Sequence, residues 1–166
     1  MSITRRQFVA GISVVVAVAA LPRWAFAADD GAVDFAKSLY ALPNLWGDVT
    51  ADDASIKKYL DPNLADLIAA NYAKTDEEAA LDYDPLAQAQ DFEDIKTTFT
   101  VQSETDTAAV IDAHINNYGE DSVVTLDLTK TADGWRLSDI RTDEETPSLV
   151  DELKQLNSGV PPADGD

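Results

Sequence analysis

Apolar residues recur along this chain with two different periods, and the change of period divides it into two parts. Between Ala32 and Leu42 they fall at Val33, Ala36, Leu39, Tyr40 and Leu42, which is one face of a helix. Pro43, Asn44 and Gly47 break that pattern and predict a loop. Asp52 and Asp53 favour the start of a short helix through Tyr59-Leu60, because acidic groups suit the positive end of the helix dipole. Asp61-Pro62 restarts a helix running to about Lys74, with Asp61 as its N-cap and Leu64, Leu67, Ile68, Ala70 and Tyr72 along it. Thr75 to Ala80 is acidic and reads as a loop or frayed turn.

From Asp94 onward the period is two. Ile95, Thr97, Phe99 and Val101 alternate with Lys96, Thr98, Thr100 and Gln102, predicting a first strand. Ala109, Ile111, Ala113 and Ile115 alternate with Val110, Asp112, His114 and Asn116 in a second. Turn chemistry at Asn117 to Asp121 leads to a third, where Val124, Leu126 and Leu128 share one face. Ala132-Asp133-Gly134 turns into a fourth, with Trp135 and Leu137 on one side and Arg136 and Ser138 on the other. Pro147 to about Leu156 reads as a helix packing back through Leu149, Val150 and Leu153, and Ser158 to Asp166 as a disordered acidic tail. Helices followed by an antiparallel four-stranded meander predict an α+β domain over residues 28–157, with the helices on the apolar face of the sheet.

The first 27 residues differ from this in kind. A basic start (Arg5, Arg6), an apolar run from about Val9 to Leu21 and the small-residue site Ala25-Phe26-Ala27 are the parts of an export signal. Thr4-Arg5-Arg6-Gln7-Phe8-Val9 resembles the twin-arginine motif, with Val9 in place of the commoner Leu and Ala10 where Lys often sits. Arg23, just before the cleavage site, fits the same resemblance. The apolar run of about 13 residues is shorter than the ~20 that span a bilayer. The expectation is therefore export by the twin-arginine translocase, cleavage after Ala27 and a periplasmic chain without a stable membrane anchor. An ordinary export signal holding two arginines is the competing reading.

Composition narrows the chemistry. The chain has no cysteine and one histidine, so disulfides and thiol chemistry are absent and zinc, haem and copper lack their usual ligands. No metal site and no cofactor is expected. The formal charge of −19 falls to −22 once the signal takes Arg5, Arg6 and Arg23 with it. Such a surface repels nucleic acid and anionic lipid, and it attracts cations or a basic partner. Adaptation to a salty habitat explains the same acidity, as does cation binding.

Three stretches carry a family resemblance: Tyr59-Leu60-Asp61-Pro62-Asn63-Leu64, then Leu81-Asp82-Tyr83-Asp84-Pro85 with Gln90-Asp91, and finally Gly134-Trp135-Arg136-Leu137-Ser138-Asp139-Ile140. Together they resemble a family of exported bacterial proteins of unknown function, whose domain is similar to the cystatin-like cone of nuclear transport factor 2. The resemblance runs from about residue 33 to 156. It implies a fold and a compartment, and it imports no reaction.

Several polar groups could carry a function. Asp82, Asp84, Gln90 and Asp91 form the densest polar cluster, where the helices give way to the sheet. They could bind a hard cation or a ligand, Arg136 could pair with one of them, or they could serve the loop architecture by capping turns. His114 is the natural general base near neutral pH, with Asp112 on the same strand face. Alternation puts both on the outer face if Ile111, Ala113 and Ile115 line the core. Trp46, Tyr83, Phe99 and Trp135 could line a cone pocket or simply form core. Asp84, Gln90, Asp91, Trp135 and Arg136 are thus candidate ligand-binding residues, and Asp82, Asp84, Asp91 and His114 candidate catalytic ones. No nucleophile elbow, metal-hydrolase motif, calcium loop, phosphate loop or dinucleotide fingerprint is present.

These residues suit a periplasmic binding or accessory domain that meets a protein or small molecule. The alternative is a small cone-fold isomerase or hydrolase using Asp/His acid-base chemistry. The charge itself yields a test: if the acidity is salt adaptation, added monovalent salt screens self-repulsion and the thermal midpoint climbs markedly. A midpoint that is flat in salt contradicts that explanation.

Overall fold

The computed structural model describes residues 31–74, 81–143 and 145–159. The signal segment, the acidic stretch 75–80 and residues 160–166 of the expected tail lie outside the described residues.

Helix α1 (Ala32–Tyr40) buries Ala36 and Leu39 as its periodicity predicts. Helix α3 (Asp53–Tyr59) is N-capped by Asp52, whose carboxylate accepts from the Ser55 amide at 2.7 Å. Helix α4 (Pro62–Tyr72) is capped by Asp61, which accepts from Leu64 N at 2.8 Å. Both caps satisfy amides that the first helical turn leaves without a partner. Between α1 and α3 lies an element the loop signals hid: Trp46–Val49 closes one helical turn, α2. It follows Leu45, a buried residue held at φ 39°. A side chain with a Cβ resists positive φ, so burial and neighbouring hydrogen bonds must fix this corner.

The meander forms as its period predicts, except that the first strand shifts register between Val101 and Ser103, and Val101, expected on the apolar face, is exposed. Strands β1 (Lys96–Glu104), β2 (Ala108–Asn117), β3 (Glu120–Thr131) and β4 (Gly134–Arg141) make one antiparallel sheet in the order β1-β2-β3-β4. Tyr118 and Gly119, both at positive φ, form the two-residue turn between β2 and β3, the backbone geometry that suits the twist of a hairpin. Ala109, Ile111, Ala113, Ile115, Val124, Leu126 and Leu128 are buried on one face. Helix α5 (Leu149–Ser158) adds Leu149, Val150 and Leu153 to the same core and runs through Ser158 to a left-handed cap at Gly159. The core therefore sits between one face of the sheet and the helices, in an α+β arrangement.

Strand β4 departs from simple alternation. Leu137 pairs with Leu128 and Asp139 with Asp127, so Ser138 is an extra residue opposite the Asp127/Leu128 step. This bulge inverts the parity of the strand. Trp135 and Leu137 face the core before it, and Ile140, paired with Leu126, faces the core after it. The Ser138 hydroxyl donates to the Asp127 carbonyl at 2.9 Å and ties the bulge down. Leu137 also bridges to Leu60, and its carbonyl accepts from Asp61 N at 2.9 Å, joining β4 to the junction of α3 and α4.

Deleting Ser138 should restore plain alternation and leave Leu137 and Ile140, then two positions apart, both facing the core. That deletion should cost only about 1 kcal/mol, of the order of the one hydrogen bond it removes. Deleting Arg136, a regularly paired residue of the same strand, should instead set Trp135 and Leu137 on opposite faces and cost about 3 kcal/mol or more, of the order of emptying a large core position. Urea denaturation of the two variants checks the difference; equal costs contradict the role given to the bulge.

Candidate functional site

Asp84 is the most engaged of the sequence-predicted residues. Its Oδ2 accepts from Trp46 N at 2.9 Å, and its Oδ1 from Leu86 N at 2.8 Å and Ala87 N at 3.1 Å. Its backbone joins in, with Asp84 N donating to the Ala89 carbonyl at 2.9 Å. One half-buried carboxylate thus caps α2, closes the 84–89 turn and holds the strained Leu45 corner in place. Tyr40 adds to the clasp by donating to the Leu86 carbonyl at 3.0 Å. Burial pushes the Asp84 pKa up, against the three backbone amides that pull it down. Burial likewise raises the Tyr40 hydroxyl, and the Asp84 charge adds to it. Both oxygens of Asp84 serve the fold.

The rest of the predicted cluster does not converge on Asp84. Asp82, Gln90 and Asp91 are exposed, and the backbone carbonyl of Asp91 accepts from Asn117 Nδ2 at 3.1 Å. Among the described residues no group of three or more His, Asp or Glu side chains is placed to hold a metal ion. Arg136 does not pair with these acids. Its Nε donates to the Lys57 carbonyl at 3.0 Å, and Nη1 donates to the Trp135 and Asp133 carbonyls. A guanidinium on an outward position of β4 finds the C-terminal end of α3, which is rich in free carbonyls, nearer than any carboxylate of the 82–91 segment. Trp135 is 4% exposed and Trp46 6%, both in the core. The indole Nε1 of Trp135 has no hydrogen-bond partner, and Lys130 Nζ lies 5.3 Å from the ring centroid. Phe99 packs edge-on to Tyr40 at 5.6 Å. These aromatics do not share a pocket with Tyr83.

His114 is exposed on the outer face of the sheet, as alternation predicts, with Nε2 3.2 Å from Thr100 Oγ1. Asp112 on the same face accepts from Gln102 Nε2 at 2.6 Å and from Thr125 Oγ1 at 2.8 Å. Arg141 clamps Asp127 with two hydrogen bonds of 2.7 Å. This face is therefore a network of cross-strand polar pairs. A shallow depression of about 520 Å³ over it is lined by Lys96, Thr98, His114, Asn116 and Val123.

A second concavity was not anticipated. The turn after Tyr83 and helix α5 form the walls of a groove of about 440 Å³. Across it Tyr83 Oη donates to Glu152 Oε2 at 2.6 Å, a short hydrogen bond of the charge-assisted kind. Burial, this bond and the charges of Glu152 and Asp82 raise the Tyr83 pKa, so its hydroxyl stays protonated and donating. Helix α5 is set against the body from both ends. At its start Asp139 accepts from Val150 N at 3.0 Å, and at its end Asn157 donates to the Leu67 carbonyl at 3.0 Å. Lys74 Nζ donates to the Leu156 carbonyl at 2.7 Å. The Tyr83–Glu152 pair spans 69 positions, so no local motif announces it. The signals that exist are the partly apolar helix face and the tyrosine between two aspartates.

No protein-family model matches the chain, and no curated protein matches it. Among solved structures, the chain is similar to a phospholipid-binding protein from Ralstonia solanacearum determined in complex with a phospholipid, at 16% identity and a TM-score of 0.39, over 74% of this chain and 78% of that one.

The aspartates should separate on titration. Hydrogen bonds from Asn44, Ser55 and Thr146 hold Asp48, Asp52 and Asp143 below the usual carboxylate pKa, whereas burial holds Asp84 above it. The stabilising contribution of the first three is present at neutral pH and is lost as pH falls through their lowered folded values. Asp84 works in the opposite sense, because its folded state takes up a proton more readily than its unfolded state. Carboxyl-carbon NMR titration should place Asp84 above the other three; the reverse order contradicts this account. Asp84→Asn should cost about 1–3 kcal/mol, since one amide nitrogen must then face a backbone donor.

Proposed function

We propose that this protein is an exported binding or accessory domain of the bacterial envelope rather than an enzyme. The observation that carries the reading is the position of the candidate chemistry. Among the described residues the one buried polar or charged side chain is Asn71, and it pairs with Asn157 at 3.3 Å. Acid-base catalysis needs a proton-transfer group within hydrogen-bond reach of a bound substrate. Asp82, Asp91 and His114 lie at the surface, and both oxygens of Asp84 are occupied by backbone amides. What the domain presents is surface: a polar outer sheet face and a groove beside α5, both suited to holding a partner or a small molecule.

Within the same proposal, the open sheet with helices on one face is a cystatin-like cone of the nuclear transport factor 2 type. Arg5 and Arg6 address the chain to the twin-arginine translocase, the signal is cut after Ala27, and the domain works in the periplasm. No helix among the described residues is long and apolar enough to cross a membrane. The alternative of a cone-fold enzyme using Asp84 or His114 gains no support from their placement.

Two measurements test the proposal. Arg5→Lys with Arg6→Lys should leave uncut precursor in the cytoplasm; unchanged periplasmic accumulation overturns the export route. Native mass spectrometry of protein recovered from the periplasm should show a bound small molecule or partner. Turnover of ester or isomerase substrates that is lost in a His114→Ala variant of wild-type stability overturns the binding reading.

A further inference from the structure

The groove beside α5 has a distinctive charge pattern. Pro147 and Leu156 give it an apolar strip, and Gln88 and Gln155 add neutral amides. The carboxylate of Glu152 is the one formal charge in the lining, and no Lys or Arg lines it. Nearby cations are engaged elsewhere: Lys74 caps the end of α5 through the Leu156 carbonyl, and Lys154 pairs with Asp151 at 3.0 Å. Gln88 Nε2 is held by the Pro85 carbonyl at 2.7 Å, which fixes that wall. Tyr83 takes one hydrogen bond of Glu152. A carboxylate accepts about four, so capacity for a ligand remains beside an aromatic ring.

We propose that this groove binds an organic cation, an amine or quaternary ammonium on a small apolar body, with its charge against Glu152 and Tyr83 and its body along Pro147 and Leu156. The inference rests on the reading of the domain as a binding module and names the ligand class. A cation is drawn to the carboxylate and to the negative face of an aromatic ring. The strongly negative chain raises the local concentration of cations and depletes anions. The groove volume of about 440 Å³ falls in the range of small-molecule pockets. An anionic ligand would meet Glu152 with no basic group in the lining to receive it.

Three probes of similar shape test this on the purified protein at low ionic strength: benzyltrimethylammonium, benzyl alcohol and benzoate, each followed by amide NMR shifts. Benzyltrimethylammonium should give saturable shifts at Tyr83, Gln88, Glu152 and Leu156, with benzoate giving none there. Glu152→Gln should weaken the cation about tenfold or more, the size of one lost charge-assisted contact. Tyr83→Phe, which keeps the ring, should weaken it less. The three wild-type comparisons stand even if a variant fails to fold. Equal binding of benzyl alcohol and the cation, or unchanged cation affinity in Glu152→Gln, overturns the charge inference and leaves the binding reading intact. If no probe binds the groove, both the inference and the small-molecule form of the binding reading fall.

Discussion

One extra residue in the last strand organises much of this molecule. With Ser138 bulged out, Leu137 and Ile140 both reach the core although they are three positions apart. The same shift sets Asp139 opposite Asp127 and within reach of the first turn of α5. An unbroken strand would have to choose between burying Ile140 and continuing its pairing in phase. Leu137, just before the bulge, also receives the α3–α4 junction through its backbone. The edge strand is therefore the part against which α3, α4 and α5 are all positioned, and the bulge sets their common reference.

Aspartate does a second kind of positioning. Asp52, Asp61, Asp84, Asp139 and Asp143 each accept from backbone amides at helix starts or turns. Glutamate, one methylene longer, is less suited to bonding the amides of its own turn. Part of the excess of aspartate over glutamate in this chain is thus structural punctuation, distinct from whatever the habitat demands of the net charge. The exposed acids without such a role are the ones left to set the external field.

Much of the fold was legible because one face of nearly every element is buried. The alternation in 109–115 and 124–128, and the helical spacing in 32–39 and 149–153, report that burial directly. The caps at Asp52 and Asp61 were equally readable, since a capping side chain acts within its own turn. Helix α2 was not readable: its four residues include a glycine, and what fixes it is Asp84, 38 positions from Trp46. The bulge was hidden for a similar reason, as Trp135 to Ser138 alternates normally and the irregularity shows only against β3. Of the candidate site, the exposure of His114 followed from parity. The clustering of Asp82, Asp84, Gln90 and Asp91 suggested shared purpose, but closeness in sequence did not aim their side chains at one point. Arg136 answered to helix carbonyls that no local pattern connects with it.

The walls of the groove come from opposite ends of the domain, Tyr83 before the sheet and Glu152 after it. A chain ending at Arg141 would still contain every strand and every hydrogen bond of the meander, yet it would hold only one wall of the groove. The groove depends on the last helix docking, so during synthesis it comes into being only after the final strand has been made.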